Sequence, residues 1–197
     1  MNSGRMNPKH RSILDAARIL FWKHGFRRVS VEEICCEAGV SKMTFYRHFG
    51  NKIDLAKEVY HMAAMEGVVQ FREIMADDTT TTRQKMEAML NMKVEGTNEI
   101  SKEFLNDFYR SPELGLSAYV EEVSEIVWKE VVEDFKHAQE KGWLREDFKP
   151  EAFLLMSYKL LELITDERMQ QMYESPQALV MELSRLFTYG IVPYEQG

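Results

Sequence analysis

The chain has 197 residues, 45% of them hydrophobic and 29% charged, with a formal net charge of -7. Those proportions belong to an ordinary soluble globular protein and exclude a low-complexity chain, and no apolar run approaches the ~20 residues needed to span a bilayer. The average charge hides a split, +5 over residues 1–60 and -12 over residues 61–197, and a basic head on an acidic body suits a protein that meets polyanionic DNA at one end.

Residues 1–5 precede a second methionine, Met6, and are set aside as an added stretch. From there Ile13, Ala16, Ala17, Leu20 and Phe21 recur at helical spacing and predict an amphipathic first helix over about 8–24. Gly25-Phe26 supplies its stop, because glycine reaches left-handed backbone cheaply and the next apolar side chain folds back on the last turn. Ser30 and Glu33 form a capping box that opens a second helix. Val31, Ile34, Cys35 and Ala38 lie on its inner face. Gly39-Val40-Ser41 permits a tight turn, and Ser41 caps a short third helix reaching Phe49. Two such short helices across that turn are the spacing of a helix-turn-helix. Phe45 and Phe49 anchor the third helix inward, leaving Lys42, Met43, Thr44, Tyr46, Arg47 and His48 outward.

A long fourth helix is expected over about 51–75, then a polar loop at 77–82. Further helices are expected near 83–98, 101–110, 112–141, 150–173 and 176–190. Ser111-Pro112 and Ser175-Pro176 mark two starts and Gly142 one stop. The pattern contains no alternating strand and no repeat, so the fold class is all-α with about nine helices.

The segment 10–55 resembles the N-terminal domain of the tetracycline-repressor (TetR) family. The residues that carry the resemblance are Ile13-Leu14-x-Ala16-Ala17, Gly25-Phe26, Ser30-Val31-x-x-Ile34, Ala38-Gly39-Val40-Ser41, Thr44-Phe45-Tyr46-x-His48-Phe49 and Asn51-Lys52-x-x-Leu55. It implies a three-helix DNA-binding domain over 6–52, joined through the fourth helix to a ligand-binding and dimerisation body over 53–197. It also implies a homodimer in which the third helix enters the major groove of a palindromic double-stranded operator. Lys42, Met43 and Thr44 would then stand at base edges, Met43 offering an apolar contact such as a thymine methyl, with Ser41 also among the DNA-binding residues. Tyr46, His48, Lys52 and Ser30 would meet phosphates, and Arg47 either phosphate or base.

The resemblance further implies dimerisation through the helices near 150–173 and 176–190, which agrees with residues 152–164 being apolar nearly all round. Symmetry would set the two recognition helices roughly 34–36 Å apart. It implies too an effector pocket in the body, to which 13 methionines and 22 aromatics offer adaptable walls. Phe104, Phe108, Trp128 and Met156 are the candidate lining residues. The acidic body favours a cationic or neutral small molecule.

The expected function is a repressor released from its operator by an unknown small-molecule effector. The alternative is a ligand-independent DNA-binding protein whose body serves dimerisation or protein partners. No catalytic residues, metal ligands or cofactors are expected. The five histidines show no metal-ligand pair, the acidic runs of 121–134 alternate with valines as a solvated helix face, and no nucleophile-base pair or phosphate-cradling loop occurs. Cys35 and Cys36 are adjacent, make no disulfide framework and read as structural. With no basic-then-apolar opening, the cytoplasm is the expected compartment and no membrane contact is expected.

Overall fold

The computed structural model describes residues 7–190, and among them every regular element is helical. Ten α-helices run α1 (Pro8–His24), α2 (Val31–Glu37), α3 (Lys42–His48), α4 (Lys52–Ala76), α5 (Thr82–Gly96), α6 (Lys102–Tyr109), α7 (Leu116–Glu140), α8 (Pro150–Thr165), α9 (Glu167–Gln171) and α10 (Pro176–Gly190), with a 3-10 turn at Pro112–Leu114. Local chemistry sets their starts. Asn7 caps α1 through the Lys9 amide, and Ser30 and Thr81 make full capping boxes with Glu33 and Gln84, each satisfying amides that the first turn leaves without partners.

Two of the expected long helices are divided. The one expected over 112–141 opens as the 3-10 turn, breaks at Gly115 in the left-handed region (φ +66°), and resumes as α7. The one expected over 150–173 ends at Thr165. Asp166 is extended there, and its carboxylate accepts from the amides of Arg168 and Met169 to start α9. A side chain that caps a new helix stops the old one.

The chain packs as two units, residues 1–62 with 99–120, and residues 63–98 with 121–197. The boundary between these packing units falls inside α4, and α6 belongs to the first unit. In that unit α1 is the central element. Its inner stripe Ile13, Leu14, Ala17 and Phe21 is fully buried with Ile34 of α2, Phe45 of α3 and Leu55, Ala56 and Val59 of α4. On α1's other flank Trp22 packs against Phe104 of α6 at 4.3 Å between ring centres, and Phe104 against Phe108 at 4.5 Å.

The turn after α1 is tied to α6. The Ser101 amide donates to the Trp22 carbonyl at 2.9 Å. Asp107, buried on α6, accepts from the Arg27 amide at 2.9 Å and from its Nε at 3.0 Å, while Arg27 also reaches Ser111 and Glu113. Gly25 sits between them at φ +77°, where an added Cβ would lie 2.8 Å from both Asp107 Oδ2 and Glu103 Cβ.

The second unit is organised around Phe71, Met75 and Val68 of α4, Val131, Phe135 and Ala138 of α7, Met86 of α5, and Leu144 and Phe148 of the following loop. Phe135 meets Phe71, Phe148 and Phe153 edge-on at 5.2–5.9 Å, the arrangement that aromatic quadrupoles favour. Lys85 is buried beside this cluster. Its ammonium donates to the carbonyls of Ile74 and Asp77 at 2.9 and 2.6 Å, closing the end of α4, and lies 4.1 Å from the Trp143 ring centre. A buried ammonium is tolerable because carbonyls and a ring face replace its water. Among the described residues no helix is long and apolar enough to cross a membrane.

Candidate nucleic-acid interface

The turn between α2 and α3 holds the candidate site in shape. Gly39 takes φ +65° with open space around it, the Val40 amide donates to the Cys35 carbonyl at 2.9 Å, and Ser41 Oγ accepts from the Thr44 amide at 3.2 Å. Phe45 and Phe49 are buried. Phe49 stacks on the ring of His10 in α1 at 4.7 Å, and this clamps the far end of α3.

With its apolar side fixed, α3 presents the rest of its residues outward. Met43 is 72% exposed and Tyr46 58%. Lys42 and Arg47 are exposed, and Thr44 and His48 half-buried. A short helix displaying a methionine, a tyrosine and two cations to water gains nothing for folding by doing so. Such a face matches a polyanion whose groove edges also carry apolar methyls.

The other candidates are engaged within the protein. Ser30 Oγ bonds Glu33 Oε2 at 2.8 Å. The Ser30 amide and hydroxyl hold the Glu33 carboxyl below its ordinary value. His48 lies edge-on to His10, 5.4 Å between ring centres, and His10 Nε2 is 2.5 Å from Glu58 Oε1 of α4. Lys52 turns inward. Its ammonium donates to the carbonyls of Phe26 and Val29 at 2.8 and 2.7 Å and lies 4.2 Å from the Phe26 ring centre. Burial lowers its pKa, with Asp107 and Glu33 opposing the shift.

Two groups escaped the sequence reading. Glu32, in the first turn of α2, forms an ion pair with Lys42 at the start of α3. The hydrogen bond between them lowers the Glu32 pKa and raises that of Lys42. The signal was present, an acid ten positions before a cation across a helix-turn-helix, but the distance closes only once the turn is built. Arg27 was overlooked because its partner Asp107 stands 80 residues on.

Phe104 and Phe108 are buried in the first unit, whereas Trp128 is half-buried beside Phe153 in the second and Met156 of α8 is exposed. A cleft of about 270 Å³ in the second unit is lined by other residues, among them Arg72, Met75, Asp134 and Trp143. Cys35 is buried and Cys36 exposed, and burial pushes the Cys35 thiol up.

Residues 13–59 match the family model of the bacterial regulatory proteins, tetR family. Over 51 residues the chain is 43% identical to the Transposon Tn10 TetC protein of Escherichia coli, a stretch covering 26% of this chain and 26% of that protein. Over 142 residues it is 25% identical to the HTH-type transcriptional regulator UidR of Escherichia coli K12, covering 71% of each. Among solved structures, the regulatory protein TetR from Rhodobacter sphaeroides superposes with a TM-score of 0.68 at 20% identity, over 94% of this chain and 100% of that one. The transcriptional regulator FadR from Bacillus subtilis, solved in complex with stearoyl-CoA, gives 0.64 at 19% identity, over 92% and 99%. At these identities the solved structures speak to the fold.

Proposed function

From the match of residues 13–59 to the tetR family of bacterial regulatory proteins, and the likeness to an HTH-type transcriptional regulator over 71% of the chain, we propose that this protein is a dimeric repressor released from a palindromic operator by a small molecule. The observation that carries the reading is the outward face of α3, with Lys42, Met43, Tyr46 and Arg47 in water on a helix whose other side is pinned by Phe45 and Phe49.

Residues 6–52 bear the DNA contacts. Ser41, Lys42, Met43 and Thr44 face bases, and Tyr46, Arg47, His48 and Lys52 face phosphates, with Ser30 at the edge of the footprint. Residues 53–197 bind the effector and dimerise. In favour of dimerisation, α8 and α10 leave large apolar side chains bare in the single chain. Leu155 is 69% and Leu186 63% exposed, with Met156, Leu163 and Tyr189 also uncovered. Uncovered apolar side chains of this size favour an interface on these helices.

The effector acts by differential affinity. A ligand that prefers the DNA-free arrangement by ~3 kcal/mol weakens operator binding by about two decades. The test is selection from a random double-stranded DNA pool, followed by affinity against salt. A palindrome with half-sites about one turn apart, roughly 34–36 Å, and a steep salt slope is expected. No enrichment at low salt by folded protein would overturn the reading.

A further inference from the structure

We propose that Glu32 is a specificity-determining residue of the DNA-reading face, taking the exocyclic amino group of a cytosine while Lys42 takes the guanine paired with it; this rests on the operator-binding reading above. Glu32 and Lys42 are both exposed and form an ion pair between the first turn of α2 and the first turn of α3. Each holds the other charged, since the hydrogen bond lowers the Glu32 pKa and raises that of Lys42. The pair sits among the outward residues of α3, with the Tyr46 side chain near enough to Lys42 to act on its charge.

A carboxylate only accepts hydrogen bonds, and a phosphate offers it none. On non-specific DNA, Lys42 must either leave Glu32 for a phosphate or carry the carboxylate toward a like charge, and both outcomes are unfavourable. The groove edge of a G·C pair removes the conflict. Guanine O6 and N7 accept from a lysine, and cytosine N4 donates to a glutamate. A donor beside an acceptor on the protein then meets an acceptor beside a donor on the base pair. Glu32 therefore weakens binding to random DNA and is compensated only where a G·C pair lies beneath it.

The experiment compares the full-length protein with Glu32→Ala and Lys42→Ala, by selection from a random duplex pool and by affinity for a fixed random-sequence duplex as salt is varied. The wild type should prefer G·C at one position of each half-site by at least about fivefold, the scale of a good base contact. Glu32→Ala should lose that preference and bind the random duplex more tightly, whereas Lys42→Ala should lose it and bind more weakly, its salt slope falling by about 1. Opposite signs from two partners of one pair are not what general damage to the fold produces. Exposed pairs add little stability, so both variants should melt close to the wild type by circular dichroism. An unchanged motif in Glu32→Ala, or an unchanged affinity for the random duplex, overturns the proposal while operator binding stands. Failure of the wild type to enrich any sequence overturns both.

Discussion

Met43, 72% exposed, is the barer of the two large hydrophobic side chains that α3 leaves in water. If it lies on a thymine methyl, removing that methyl should cost about one buried carbon, ~0.8 kcal/mol or roughly fourfold in affinity. Replacing thymine by uracil at each operator position in turn measures this. One position per half-site should weaken wild-type binding by about that factor and leave Met43→Ala indifferent. At this scale the sequence was legible wherever a residue's partner lay within a few positions. Ser30 with Glu33 and Ser41 with Thr44 could be read directly, because a helix start brings those atoms together whatever else the chain does. Lys52 could not. Its partners are carbonyls of the Phe26 to Val29 turn, whose orientation is set by Gly25 and by Asp107.

Among elements, the ends of α4 and α8 show how a helix is stopped by side chains. Lys85 closes α4 by donating to the carbonyls of Ile74 and Asp77 at its C-terminal end. Lys85→Met keeps the bulk and loses those bonds together with the contact to Trp143, so unfolding by urea should report a loss of about 2–3 kcal/mol. Asp166 closes α8 and opens α9. The Arg168 side chain and the Met169 amide hold its carboxyl down to about 2, from an ordinary 3.8. A depressed carboxyl stabilises the folded state fully above its ordinary value and ceases to as pH falls through the folded one. The α8–α9 junction should therefore stay intact at pH 5 and loosen between about 3.8 and 2, seen as an Asp166 carboxyl resonance titrating near 2. A titration near 4 would mean that the cap does not hold in solution. Helix periodicity in the sequence runs straight through 150–173, since Asp166 interrupts no apolar stripe. It stops the helix by capping a new one, a role that hydrophobic pattern does not record.

For the whole molecule, the all-helical class followed from periodicity and caps, while the membership of the two packing units did not. Nothing in residues 99–120 taken alone indicates that Phe104 and Phe108 complete the core around α1. The bare faces of α8 and α10 carry the corresponding prediction. Leu155→Glu with Leu186→Glu should leave each chain folded, shift sedimentation from dimer to monomer, and reduce operator affinity by about a hundredfold or more, because the second headpiece then no longer binds as a tethered partner. A dimer that survives both substitutions would locate the interface elsewhere. The return of 99–120 to the first unit also bears on how the protein is made. A ribosome releases the chain N-terminus first, at about 5–20 residues per second. When residue 62 emerges, the stripe of α1 around Trp22 still lacks Phe104, and the Arg27 turn still lacks Asp107. The reading head therefore completes its fold only after more than half the chain has been synthesised. A gene cut back to its first sixty codons would express an unfinished domain, whereas one joining residues 1–62 to 99–120 through a short linker would encode a complete one.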